Sequence, residues 1–179
     1  RVVISQPIYL PWLGQLNQAL LADAFVFYSD VQLQEDLLIG LNIIDGQQEF
    51  ITVATLGSKR SLINQLKIDF SQQWNKYLAK IKQLFANASF KNQACSFFQQ
   101  LVYKDHEHLS QLSSSSIISL FKELFPEQFP VFFDSSDFAR QSKSTDSLLH
   151  TYKELGVKMF NRSRRCQLDL TGTILQFWN

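Results

Sequence analysis

Short apolar runs and polar turns alternate along the first part of the chain. The run Val2-Val3-Ile4 predicts a buried strand, leucines at helical spacing predict a helix over about 13–22, and residues 24–28 predict a second strand buried on both faces. The predicted apolar face of the helix is Leu13, Leu16, Leu20 and Leu21. This strand–helix–strand order predicts a βαβ unit with parallel strands and a right-handed crossover.

A β-hairpin is predicted next. Apolar residues over 41–44 and 49–54 flank Asp45-Gly46, and this dipeptide suits the positive φ angles of a tight hairpin turn. Apolar residues then alternate with polar ones over 66–70, which predicts a further strand.

Helical patterns dominate the second half of the chain. Ser71 is a predicted N-cap for a helix whose apolar face is Trp74, Tyr77, Leu78, Ile81, Leu84 and Phe85. Further helices are predicted over about 94–102 and 109–124, the second ending before Pro126. The serine run 113–116 lies inside that helix, where we interpret it as a face of small residues for close packing.

The last elements predicted are a strand over 131–133, a helix over 145–155 that stops at Gly156, and a strand over 157–160. Together the patterns predict one α/β domain spanning 1–179. A mostly parallel sheet and a hairpin lie in its N-terminal half, and several helices lie in its C-terminal half.

Composition excludes several classes of protein. The net charge is only +1, which argues against general binding to nucleic acid or anionic lipid. No apolar run reaches the ~20 residues of a membrane span, and Pro7 and Pro11 interrupt any signal-peptide-like start. Two cysteines far apart in sequence do not form a disulfide framework, so a cytoplasmic protein is expected. Because the chain begins with Arg1, one or more residues are expected to precede it.

The segment between the first strand and helix carries the most specific motif: Gln6-Pro7, Tyr9, Leu10-Pro11-Trp12 and Gly14. It resembles the opening of the WbqC-like family, which is associated with bacterial O-antigen and other surface-polysaccharide gene clusters. The resemblance continues through Ala22-Asp23, Asp30-Val31-Gln32, Ile68-Asp69, Trp74 and Ser135-Ser136. It implies a cytoplasmic transferase acting on a nucleotide-activated sugar.

The chain also departs from the family pattern. Ser29 stands where the family has the first of two aspartates, and the family's basic segment is replaced by residues that include Glu35 and Asp36. Asn42 alone survives there, and the tail from about 161 has diverged. The alternative is therefore a catalytically inactive relative that serves as a binding or scaffold protein.

Polar side chains are predicted at the carboxyl ends of strands, where open α/β sheets bind ligands. Gln6 and Asp30 are expected to hydrogen-bond a small-molecule ligand, with Tyr9 and Trp12 stacking on its sugar ring or base. Asp30 is the candidate general base. The remaining substrate-binding candidates are Pro7, Gly14, Gln32, Asn42, Ser135 and Ser136. The alternative is that proline and tryptophan fix a tight turn while Gln6 satisfies backbone groups.

Three other groups of residues each allow a functional and a structural interpretation. Asp105-His106-Glu107-His108 suggests metal binding, but residues two apart on a helix do not face each other, so a solvated helix start is favoured. Cys166 has no base nearby in sequence and is interpreted as a free or buried thiol. Ser135-Ser136 lacks a nucleophile-elbow motif, which leaves turn capping or a hydrogen bond to ligand. No metal site or cofactor is predicted, and no signal for an oligomeric state is present.

Overall fold

The structure is a computed structural model that describes residues 1–33, 39–44, 47–58, 60–69, 74–104, 106–138, 151 and 155. For the strands within 39–52 and for Tyr103 only the backbone is described. The hairpin turn at 45–46, the N-cap at Ser71, most of the helix predicted over 145–155, Gly156, the strand predicted over 157–160 and the tail with Cys166 lie outside the described residues.

The described elements are β1 Val2–Ser5, α1 Leu13–Leu20, β2 Ala24–Phe27, β3 Ile39–Ile44, β4 Gln47–Thr52, β5 Thr55–Leu56, β6 Lys67–Ile68, α2 Trp74–Leu84, α3 Lys91–Tyr103, α4 Leu109–Leu124 and β7 Val131–Asp134. Short 3-10 turns cover Ile63–Gln65 and Ser135–Asp137. This mixed α/β composition confirms the predicted fold class.

A parallel sheet in the order β1-β2-β7 organises the domain. Ser5 pairs with Phe27, and Phe27 pairs with Asp134, so the carboxyl ends of all three strands meet at one edge. The central strand β2 buries Phe25, Val26 and Phe27 completely or nearly so, as predicted. In contrast, β1 is only half-buried although a buried strand was predicted, because it lies at the side of this sheet.

Two antiparallel pairs complete the strands of the described residues. The predicted hairpin is confirmed as β3–β4, in which Asn42 lies opposite Glu49. The predicted alternating strand is confirmed but short, since β6 covers Lys67–Ile68 and pairs with β5.

The helix α1 differs from its prediction in two respects. It ends at Leu20, two residues early, and it buries Gln15, Leu16 and Ala19. Leu13 was predicted on the buried face but is 81% exposed. The buried face of α1 is the side that packs on the sheet, and this side contains the polar Gln15 and not Leu13.

The side chains pack in two hydrophobic clusters. One contains Tyr9, Leu33, Val53, Ile63, Leu66, Ile68, Tyr77, Leu78, Ile81, Phe98, Leu101, Val102, Leu109 and Leu112. The other contains Leu16, Ala19, Phe25, Phe27, Ile117 and Phe121. The helix α4 contributes to both, and its buried Ser113 and Ser116 lie between those contributions. Ser113 and Ser116 thus provide the predicted small residues for close packing, whereas Ser114 and Ser115 are half-buried. None of the helices among the described residues is long and apolar enough to cross a bilayer.

Candidate functional site

The loop from Gln6 to Trp12 carries the motif singled out in the sequence. Gln6 and Pro7 are buried, and Tyr9 is fully buried, with its hydroxyl hydrogen-bonded to the hydroxyl of Tyr77. Leu10 has a φ of 55°, which is uncommon for a residue with a Cβ. Tyr9 therefore lies in the core and holds the loop against it.

The side chain of Gln15 connects this loop to α1. Its Nε2 donates to the backbone oxygen of Gln6 at 2.8 Å and to the Oγ of Ser5 at 3.1 Å. A carbonyl oxygen only accepts hydrogen bonds, so this contact fixes which end of the amide is nitrogen. The Oε1 of Gln15 is therefore an acceptor in a side chain that is 1% exposed, and it has no donor in the described part of the chain. The Oε1 of the buried Gln6 likewise has none there.

The ring of Trp12 lies across Gly14. A Cβ at Gly14 would overlap three carbons of the indole ring, so only glycine permits this position of the ring. Trp12 remains 40% exposed at the start of α1. The motif therefore holds an accessible aromatic surface in a fixed position.

A hydrogen-bond network joins the ends of β2 and β7. The backbone N–H of Ser29 donates to the Oγ of Ser135 at 3.0 Å, and the Ser135 hydroxyl donates to Asp30. The Ser29 hydroxyl donates to the Oδ1 of Asp134 at 2.6 Å. Since Ser29 and Ser135 are both fully buried, the network fixes the position of Asp30 from the interior.

Asp134 also caps the turn that follows β7. Its Oδ1 accepts from the backbone N–H of Ser136 at 2.9 Å and from the Ser136 hydroxyl at 2.7 Å. Ser136 therefore belongs to the turn, in which Asp134 and not a serine is the cap, and its neighbour Ser135 holds Asp30.

Backbone hydrogen bonds unite the two halves of this edge. Tyr28 N–H donates to the oxygen of Ser5 at 2.8 Å, and Asn64 N–H donates to the oxygen of Ser29 at 3.0 Å. The Oδ1 of Asn64 is a third buried amide oxygen without a donor in the residues described. We name the following group the polar edge: Ser5, Gln6, Gln15, Ser29, Asp30, Asn64, Asp134 and Ser135. It contains two carboxylates and no lysine or arginine.

The predicted site residues divide between this edge and other places. Gln6, Asp30 and Ser135 come together in it. Gln32 is exposed and forms an isolated bridge with Leu62, and Asn42 lies in β3 with only its backbone described.

Sequence reasoning did not select Gln15, Ser29, Asn64 or Asp134 as site residues. For Asp134 the sequence did contain a signal, because this carboxylate comes directly after the apolar run 131–133. Asp30 has a similar position shortly after the apolar run 24–28. For Gln15 and Asn64 no local pattern marks burial of an amide.

The predicted helix start is confirmed, with His108 as the N-cap of α4, but of the described residues in this segment His106 is not solvated. The helix begins at Leu109, and His106 is 8% exposed, so it is buried. Glu107 is exposed, 2.5 Å from the Nζ of Lys67, and that contact lowers the pKa of its carboxyl. The segment pairs with β6, which explains the burial. Among the described residues no three His, Cys, Asp or Glu side chains form a metal-binding group.

Comparison with known proteins gives one result. A family model, described as the WbqC-like protein family, matches residues 6–166. No curated protein and no solved structure matches the chain. The matched range contains the motif at the start of α1 and every member of the polar edge except Ser5.

Proposed function

The chain belongs to the WbqC-like protein family, and on that basis we propose that it is a cytoplasmic transferase of bacterial surface-polysaccharide biosynthesis. In this proposal the polar edge binds a nucleotide-activated sugar. The carboxyl ends of the strands and the start of α1 supply the contacts, as is usual where ligands bind beside the carboxyl ends of parallel strands.

The observation that supports this proposal is the meeting of polar side chains at the carboxyl edge of the parallel sheet. Ser29 and Ser135 hydrogen-bond the half-buried Asp134 and Asp30 there, and the Gln15 amide bonds the residues that end β1 and follow it. Open α/β sheets bind their ligands at this edge.

Asp30 is the proposed general base. It is half-buried at the end of β2 and accepts the hydroxyl proton of Ser135. In a transfer reaction the attacking hydroxyl or amine forms a bond to the transferred group, and the donor's leaving group departs with the electron pair. The proton of the nucleophile then passes to the Asp30 carboxylate. Ser135 is a positioning residue, because its single hydroxyl proton is already donated to Asp30.

Trp12 is the proposed stacking surface for the sugar or the base. Gly14 lets the indole ring lie close to the helix backbone, and Pro7 restricts the loop that precedes it. Tyr9 supports the loop from within the hydrophobic cluster. A platform held in place before binding loses little conformational freedom when a ligand stacks on it.

Thermal-shift measurement and calorimetry with UDP- and dTDP-sugars test the proposal, with the free nucleotides and free sugars as references. The matched variants are Asp30→Asn and Asp23→Asn, which alter carboxylates at opposite ends of β2. Nucleotide sugars should raise the melting temperature of the wild type and of the Asp23 variant. Asp30→Asn should lose transfer activity while the protein stays folded. The proposal is wrong if no nucleotide sugar stabilises the protein.

A binding protein without catalysis is the second candidate. The replacement of the family's basic segment by residues that include Glu35 and Asp36 favours it, because that change removes positive charge that would grip a phosphate. This candidate would be selected if nucleotide sugars bind but no transfer occurs. Binding should then weaken equally in Asp30→Asn and Asp30→Ala.

A further inference from the structure

One pair of helices carries a block of positive charge. Residues 74–104 form α2, α3 and the turn between them, and we name this unit the helical hairpin. It contains no aspartate, glutamate or arginine. Its lysines are Lys76, Lys80, Lys82, Lys91 and Lys104. The whole chain has a net charge of only +1, so the residues outside the helical hairpin are negative as a whole. The low net charge therefore conceals a strongly basic segment.

These lysines lie mostly on the solvent side of the helical hairpin. Both helices bury their apolar faces in the hydrophobic cluster that contains Tyr77 and Phe98. Lys80 is half-buried, and the other four lysines are exposed. Lys76 and Lys80 are four positions apart on α2, where like charges repel each other. A partner that brings negative charge would reduce this repulsion.

The turn between the two helices places an aromatic ring in solvent. Phe90 is 71% exposed and is the N-cap residue of α3, where its backbone oxygen accepts from the Ala94 N–H at 3.0 Å. Serine, threonine, asparagine and aspartate are preferred at this position because their side chains accept a hydrogen bond from the first turn of the helix. The side chain of Phe90 has no acceptor to offer. It therefore contributes little to the core and nothing to the capping of α3.

The neighbouring Lys91 is also in an unfavourable position for the fold. It lies in the first turn of α3, where the helix dipole favours negative side chains, and that turn contains no acidic residue. Lys82 lies in the last turn of α2, so two lysines flank the exposed ring. We name Lys82, Phe90 and Lys91 the basic tip. A negatively charged surface would compensate the charge of Lys91, and an apolar layer beneath that surface would bury the ring.

From this we propose that the helical hairpin docks on an anionic phospholipid bilayer, with the ring of Phe90 at the boundary of the acyl chains and the lysines among the headgroups. The inference goes beyond the proposed function and does not depend on it. Clusters of about four to eight basic residues on an amphipathic helix are typical of binding to anionic lipids. Phenylalanine side chains on such helices enter the boundary between headgroups and acyl chains.

Nucleic acid is the alternative anionic partner, and the helical hairpin fits it less well. Arginine is the residue best suited to bidentate recognition of phosphate, and the helical hairpin has none. Proteins that bind single strands stack successive bases on several aromatic side chains. Among the side chains described in the helical hairpin, Phe90 is the only exposed aromatic one. One ring beside lysines is better suited to a headgroup layer.

Flotation of the full chain with lipid vesicles tests the proposal. Vesicles of phosphatidylglycerol and phosphatidylcholine in equal parts should bind the protein, and vesicles of phosphatidylcholine alone should not. Added salt should weaken the binding, because it screens the attraction between lysines and headgroups. Fluorescently labelled DNA, single-stranded and duplex, measures the nucleic-acid alternative in the same buffer.

Two matched pairs of variants locate the contact. Lys82→Gln/Lys91→Gln should weaken vesicle binding at least about tenfold, whereas Lys122→Gln, near the end of α4, should change it less than about twofold. Phe90→Ser should weaken it about tenfold, and Leu124→Ser, which alters another exposed apolar residue, is its control. Serine is a better N-cap than phenylalanine, so Phe90→Ser should keep or raise the melting temperature. Its loss of binding would then not come from unfolding.

The results distinguish the possibilities. Binding to anionic vesicles that falls in both variants of the basic tip and persists in both controls supports the proposal. Absence of binding to anionic vesicles overturns it, as does binding that the variants of the basic tip leave unchanged. Equal binding to both kinds of vesicle also overturns it, because the lysines would then have no role. Tighter binding to DNA than to vesicles would show that the partner is a nucleic acid.

Discussion

Replacing Gly14 by alanine should destabilise the protein, although the same change usually stabilises a helix. Alanine is favoured over glycine in a helix by about 1 kcal/mol. Here the new methyl group would overlap the Trp12 ring, which must swing away. With Trp12 40% exposed, we take about 100 Å² of apolar contact as lost, which costs about 2.5 kcal/mol. The net expectation is a destabilisation of about 1.5 kcal/mol.

In the Trp12→Ala background, the effect of Gly14→Ala on the free energy of unfolding should have the opposite sign. Without the ring nothing obstructs the methyl group, so adding Gly14→Ala should then stabilise by about 1 kcal/mol. The double-mutant cycle should thus give a coupling energy of about 2.5 kcal/mol. Denaturant unfolding followed by circular dichroism measures the four variants, with Asn17→Ala on the exposed side of α1 as the control for helix propensity. A stabilising Gly14→Ala in the presence of Trp12 would refute the reasoning, as would a coupling energy near zero.

Three further predictions follow from single contacts. Gly57→Ala should destabilise by about 1–2 kcal/mol in denaturant unfolding because Gly57 has a φ of 134°; an unchanged midpoint would contradict this. Burial raises the pKa values of Tyr9 and Tyr77 above the ordinary 10.0. The stability that the two neutral hydroxyls contribute is therefore present below pH 10 and lost as the pH rises above it. In a pH series of thermal melts, the melting temperature of the Tyr9→Phe/Tyr77→Phe double variant should fall less steeply at alkaline pH than that of the wild type. Ser135→Ala should cost about 1–3 kcal/mol, since it removes a buried hydrogen bond to the Asp30 carboxylate and one acceptor of the Ser29 N–H, whereas the exposed Ser136→Ala should cost less than about 1 kcal/mol by the same assay; equal costs would argue against the network.

Much of the local architecture was predictable because it depends on neighbouring residues. The strand–helix–strand start, the β3–β4 hairpin and the apolar face of α2 all follow from periodicity and turn chemistry within short windows. The position of Asp30 near the carboxyl edge of the sheet was predictable because Asp30 follows a buried strand. These inferences need no knowledge of distant parts of the chain.

The failures involve contacts across the fold. Leu13 shares a helix face with Leu20 in sequence, yet the helix turns Gln15 inward because the end of β1 supplies partners for its amide. His106 was predicted to be solvated, but pairing of its segment with β6 buries it. Periodicity records which residues are apolar, and it does not record which surface a helix or loop meets.

Sequence alone determined the family, the order of the first elements and the presence of polar groups where strands end. Tertiary structure decided that β7 lies beside β2, and thereby that Asp134 and Ser135 meet Ser29 and Asp30 across 105 positions of the chain. The physical reason is that parallel strands are joined by long crossovers, so pairing between them is set by packing of the whole domain and leaves no local mark.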